Sequence, residues 1–189
     1  EAILEAYNEG QRAFGENRPQ EFAAKAVQLP PDIEWHFIGH LQTNKVKYIA
    51  PYVTLIHAVD TLKLLKEINK QAEKAGRTID CLLQVHVAKE ETKFGLLPDE
   101  LREMLEGSEW KELKNVRIRG LMCMATNTDD ESLIHSEFHE VKELFDELKT
   151  RHFQSGSTFS ELSMGMSDDY KIAIEEGSTM IRVGSLIFG

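Results

Sequence analysis

The chain has 189 residues, 41% of them hydrophobic and 29% charged, with a formal net charge of −10 at pH 7. This length and balance describe one soluble globular domain with a substantial core and exclude an intrinsically disordered chain. The acidic excess argues against nucleic acid or an anionic membrane as the main partner, because both reward clustered Lys and Arg. No apolar run approaches the roughly 18 residues of a membrane span, and no signal peptide is visible. Cys81 and Cys123 lie in apolar, strand-like runs without metal-ligand spacing, and read as buried, reduced thiols of a cytoplasmic protein.

Taken in order, residues 2–9 form a helix stopped by Gly10, and residues 12–14 a short strand running into the polar turn Gly15-Glu16-Asn17. Pro19 opens a second helix, continued over 21–27. A strand over 34–38 is followed by a short helix at 44–50, then a strand at 54–59. Asp60 or Thr61 caps the next helix, 62–74, where Leu62, Leu65, Ile68 and Ala72 keep helical spacing. Residues 79–87 are nearly continuously apolar, as in a strand covered on both faces. After the polar loop 89–95 come a helix to about residue 107, a buried strand at 116–124 and a long amphipathic helix at 132–152. The capped start Thr128-Asp129-Asp130-Glu131 precedes that long helix. Strand 161–164, helix 168–176 and strand 179–183 complete the series.

Seven strands alternating with helices predict a parallel sheet with right-handed crossovers, in a single domain over residues 1–189. The count is one strand short of a (β/α)8 TIM-type barrel. The chain starts at Glu1 inside a helical pattern and stops directly after a strand, so it reads as truncated at both ends, with a first strand upstream. An open doubly wound sheet is the alternative, but no GxGxxG loop sits at a strand–helix junction.

The chemistry concentrates after the last two strands. Ser167 follows the penultimate strand and precedes a helix, while Gly184 and Ser185 follow the last one. Serine and glycine loops leave backbone N–H groups available to an anion, and the loops after strands seven and eight are the usual phosphate cradle of such barrels. Arg182 shares a strand face with Met180 and Gly184, opposite Ile181 and Val183, so it should face the barrel interior. There it makes either a salt bridge with a carboxylate or a hydrogen bond to an acceptor on a bound ligand. His36, His57 and His86 alternate into strands and could cluster in the interior, although such residues are more often satisfied core histidines. His135 and His139 have metal-like i, i+4 spacing but read as a solvated face without a third ligand. Lys89 and Lys93 read as loop lysines that could contact a ligand but are usually solvated.

Four motifs in order carry a resemblance: Phe14-Gly15-Glu16-Asn17; Trp35-His36-Phe37-Ile38-Gly39-His40-Leu41-Gln42-Thr43-Asn44-Lys45; Leu162 to Ser167 with Asp169; and Gly177-Ser178-Thr179 through Arg182, Gly184 and Ser185 to Phe188-Gly189. Across essentially the whole chain they resemble the pyridoxal phosphate homeostasis protein family, itself similar to the barrel domain of alanine racemase without its second domain. The resemblance implies a non-catalytic protein that binds pyridoxal 5′-phosphate (PLP) and buffers or delivers it, with PLP-dependent apoenzymes as recipients. It implies Ser167, Gly184 and Ser185 as phosphate binders, Arg182 as partner of the pyridine nitrogen, and Asn17 and Met164 as ring-side contacts. It also implies a cofactor-attaching lysine on a first strand, in a Val-Ser-Lys-type segment that this sequence lacks. An arginine only donates and stays charged, so it keeps the nitrogen beside it unprotonated. The chain is expected to act as a monomer with no catalytic or metal-binding residues. The alternatives are a PLP-dependent amino-acid racemase of alanine racemase type and a phosphate-binding barrel enzyme of aldolase or isomerase type.

Overall fold

Seven parallel strands follow one another around the sheet in chain order. They are β1 (Ala13–Glu16), β2 (Glu34–Phe37), β3 (Leu55–Val59), β4 (Ile79–Val85), β5 (Val116–Cys123), β6 (Glu161–Met166) and β7 (Met180–Arg182). The main helices are α1 (Ala2–Asn8), α2 (Pro19–Gln28), α3 (Val46–Ile49), α4 (Leu62–Lys74), α5 (Pro98–Glu106), α6 (Glu131–His152), α7 (Tyr170–Glu175) and α8 (Ser185–Phe188). The computed structural model describes residues 1–91, 94–154 and 158–189. Among these, β1 pairs only with β2 and β7 only with β6, so the barrel is nearly closed, with both end strands paired on one side.

The two-residue period of a strand sorts side chains between two compartments. Trp35, Phe37, Cys81, Leu83, Val85, Leu121, Cys123, Leu162 and Met164 face outward, into the large core shared with the helices. The barrel interior holds a much smaller apolar cluster, Leu55, Ala58, Leu82 and Met122, with Met180 packed against it. The helices supply Phe22, Leu64, Leu65, Ile68, Leu101, Phe138, Val141 and Leu148 to the outer layer, all nearly or fully buried. Burying one such side chain stabilises the fold by about 1.5–3 kcal/mol. Cys81 and Cys123 are buried and carry no disulfide; burial pushes the Cys81 thiol far up from its usual value.

Local signals account for the helix starts. Thr61 Oγ1 accepts from the Leu64 N–H at 3.0 Å to cap α4. Asp130 accepts from the N–H groups of Ser132 and Leu133 at 3.1 and 3.2 Å to cap α6. One expectation about the chain's end is corrected: β7 is followed by α8, so the chain does not stop on a strand. Gly184 is the N-cap of that turn and Ser185 its first residue. A four-residue helix has too few apolar repeats to leave a periodic trace in the sequence.

Candidate functional site

The C-terminal ends of the strands form one rim. On it, the Gly184 N–H approaches Ser167 Oγ at 3.3 Å, joining the loop after β6 to the turn after β7. Ser185 is the next residue, exposed, and Arg182 lies two residues earlier on β7. Asp169 holds the β6–α7 loop by accepting from the Met166 N–H at 2.7 Å. Across the rim, Asn17 follows β1 directly and lies against Gly39, whose backbone is so close that a Cβ there would sit 2.6–2.8 Å from Asn17. The fold therefore gathers Ser167, Gly184, Ser185 and Arg182 into one neighbourhood and puts Asn17 on the same rim.

Met164 is placed elsewhere. It is fully buried in the helix-facing core, on the opposite face of β6 from Ser163, and its carbonyl accepts from the Ser178 hydroxyl at 2.7 Å. The reason is the strand period: a ring-side role for this side chain would need it on the Ser163 face.

Arg182 points inward, as its strand face requires. Nη1 donates to Ser163 Oγ at 2.6 Å and Nη2 to the Cys123 carbonyl at 2.9 Å. Neither acceptor is a carboxylate, so among the described residues Arg182 holds neutral acceptors rather than a salt bridge. Three of the five guanidinium N–H groups remain without an acceptor among the described residues. Burial lowers the affinity of this group for its proton, opposed by Cys123 and Asp169 nearby.

Behind the arginine runs a buried polar chain. His57 Nδ1 lies 2.8 Å from Ser163 Oγ, and His57 Nε2 lies 2.9 Å from His36 Nδ1. His36, His57 and Ser163 are 9%, 1% and 0% exposed, so this chain crosses the interior away from water. Sequence reading named both histidines as possible interior neighbours but passed over Ser163, whose only trace was a serine inside an apolar strand. His86 lies one residue past β4, with its backbone N–H on the Leu96 carbonyl at 2.8 Å.

These histidines set an acid sensitivity. Burial holds His36 below the usual 6.5 and His57 well below it, the latter also repelled by His36 and Arg182. The unfolded chain takes up these protons as the pH falls through 6.5, while the folded chain refuses them. Stability is therefore fully present above that pH and is lost below it, by up to about 1.4 kcal/mol per pH unit for each proton. His152, also lowered by burial, acts in the same direction. The lowered carboxylates Glu147 and Glu176 lose their contribution only below their usual 4.5. Urea unfolding between about pH 7.5 and 5.5 should show a falling midpoint. A His57→Leu variant with an undiminished slope would locate those protons elsewhere.

On the outer surface, Glu176 accepts from both His135 and His139 of α6, at 2.9 and 3.0 Å. Lys89 is exposed, with its backbone N–H on Thr126 Oγ1 at 2.9 Å. Lys93, the other loop lysine considered as a ligand contact, lies outside the described residues.

Residues 1–189 match the family described as alanine racemase, N-terminal domain. The pyridoxal phosphate homeostasis protein of Aquifex aeolicus is 45% identical over 190 residues, spanning all of this chain and 81% of that protein. The chain belongs to the pyridoxal phosphate homeostasis protein family. A second member, from Helicobacter pylori, is 41% identical over all of this chain and 82% of its own length. Among solved structures, PipY of Synechococcus elongatus with PLP bound superposes with a TM-score of 0.89 at 38% identity, covering all of this chain and 86% of that one. An alanine racemase from Clostridium difficile shares the barrel fold, with a TM-score of 0.75 at 15% identity over all of this chain and 47% of that one.

Proposed function

We propose that the chain binds PLP at the C-terminal rim of the barrel and holds it in reserve for PLP-dependent apoenzymes, without turning over a substrate of its own. The observation that carries this reading is the meeting of Gly184 N–H and Ser167 Oγ at 3.3 Å, with Arg182 and Ser185 beside them. That cluster offers hydroxyls and backbone N–H groups at an open rim, together with a guanidinium that has donors to spare, which suits a phosphorylated aromatic heterocycle. Relatives named for PLP homeostasis, and a solved relative with PLP bound, support the same reading.

The residues divide the work. Ser167, Gly184 and Ser185 bind the phosphate, and Arg182 faces the ring nitrogen from the interior side. Asn17 closes over the ring from β1. PLP supplies an aldehyde that condenses with amines and a ring able to draw electrons from them when its nitrogen is protonated. A permanently charged, donor-only guanidinium beside that nitrogen opposes its protonation and so restrains the electron demand of the ring. Restraint suits a protein that stores the group and passes it on. The chain acts as a monomer in the cytoplasm.

Fluorescence titration of the chain with PLP tests the reading, with inorganic phosphate and unphosphorylated pyridoxal as competitors. Saturable binding that pyridoxal fails to match is expected. Steady loss of optical rotation from L-alanine, well above that with PLP alone, would instead establish a racemase. Ser167→Ala should weaken PLP binding by about 1.5–3 kcal/mol, through a lost hydrogen bond to a charged group. Equal affinity in the Ser167→Ala variant would remove the phosphate from this rim.

A further inference from the structure

The buried chain His36–His57–Ser163 touches neither a helix cap nor the rim, yet it ends on the arginine that faces the proposed site. Its hydrogen bonds follow from the chemistry of the groups. A guanidinium only donates, so Ser163 Oγ, 2.6 Å from Arg182 Nη1, accepts there. In the arrangement that gives the serine hydroxyl hydrogen an acceptor, it points at unprotonated His57 Nδ1, 2.8 Å away. The proton of His57 therefore sits on Nε2 and is donated across 2.9 Å to Nδ1 of His36. The proton of His36 is left on its own Nε2. Each link then has one hydrogen and one acceptor. Because a hydroxyl oxygen has two acceptor sites, the opposite tautomer of both imidazoles also gives every link one hydrogen, and both arrangements hold Ser163 Oγ on the arginine.

We propose that Ser163 is a positioning residue for Arg182, itself oriented by His57 and His36, and that this relay holds the guanidinium against the ring nitrogen of bound PLP. The inference rests on the PLP reading above and adds three residues to it. Four strands contribute, β2 through His36, β3 through His57, β6 through Ser163 and β7 through Arg182, so the relay ties the arginine to the far side of the barrel. The Cys123 carbonyl of β5, 2.9 Å from Nη2, fixes the second arm of the fork. With both arms held, the guanidinium plane cannot swing toward solvent, and its remaining N–H groups stay on the ring side.

The charged and titratable groups around the relay are few. Glu34 and Glu161 act on His36, His36 and Arg182 act on His57, and Cys123 and Asp169 act on Arg182. Burial outweighs the two glutamates at His36 and, with the neighbouring positive groups, lowers His57 further.

The experiment is a pH titration of PLP labelled with ¹⁵N at the ring nitrogen and bound to the chain, with the ³¹P signal of its phosphate followed in parallel. The unaltered chain should keep the nitrogen unprotonated through neutral pH. In Ser163→Ala the arginine loses one of its two acceptors and drifts, so the nitrogen should titrate about one pH unit higher, the low end of what a neighbouring charge produces. The ³¹P signal should stay in its bound position. His57→Leu should raise the midpoint in the same sense, because the serine hydroxyl then lacks its imidazole partner. Identical midpoints in the unaltered chain and a folded Ser163→Ala would overturn the proposal.

A measurement on the unaltered, PLP-free chain stands apart from the variants. Slowly exchanging Arg182 η protons should be visible by NMR, and rapid exchange with water would refute the clamped guanidinium even if neither variant folds. Failure of the unaltered chain to bind PLP would overturn the PLP reading and this one together. Binding with unchanged midpoints would overturn this one alone.

Discussion

Gly120→Ala should cost the fold about 3–5 kcal/mol, near the upper end of single-residue effects. Gly120 sits in β5 with φ at +153°, directly paired with Glu161 of β6. A Cβ on it would lie 1.7 Å from the Glu161 carbonyl oxygen and 2.6 Å from the carbonyl carbon. These are backbone atoms of the neighbouring strand, so no rotamer change relieves the clash, and the φ value is itself strained for an L side chain. The chain must either separate β5 from β6 or re-form the strand with a different dihedral. Separation would also disturb the interior, because Ser163 lies two residues beyond the clash and pairs with Met122 of β5. A urea unfolding curve decides the matter. A midpoint equal to that of the unaltered chain would mean that β5 accommodates the methyl by a route the sheet geometry does not offer.

Arg182→Ala should weaken PLP binding by about 1.5–3 kcal/mol, roughly 10- to 150-fold, the range for a lost hydrogen bond to a charged group. The side chain holds two acceptors and has three further N–H groups, so its removal takes away both the contact to the ligand and the clamp behind it. Arg182→Lys should recover only part of the loss. An ammonium is a point donor and cannot span the Ser163 hydroxyl and the Cys123 carbonyl as a planar fork does. Equilibrium titration of both variants, with thermal melts to confirm folding, gives the comparison. An alanine variant with undiminished affinity would detach Arg182 from the site altogether.

The strand and helix pattern was readable along the chain because burial imposes a period on it. β4 runs Ile79–Val85 with only Asp80 and Gln84 polar, since helices cover one face and the barrel interior the other. The caps Thr61 and Asp130 were readable because a helix start needs a short polar acceptor at one position. Arg182 was readable as inward-facing from two apolar neighbours at odd spacing. The helix-facing placement of Met164 was not legible from the motif, which fixes which residues occur together, whereas the strand period fixes which face each one takes. The turn α8 was missed because four residues carry no repeat.

The amino-acid order alone therefore settled the alternation of strands and helices, the parallel sheet and the family, since each is written in local spacing or in motifs that survive as linear text. What awaited the folded chain was every relation between residues far apart in number. Ser163 meets His57 across 106 positions and Arg182 across 19, and a single apolar-strand serine announces neither partner. The closeness of Gly120 to Glu161 is likewise invisible until two strands pair. Hydrogen bonds and van der Waals clashes act over a few ångströms of space and are indifferent to separation along the chain.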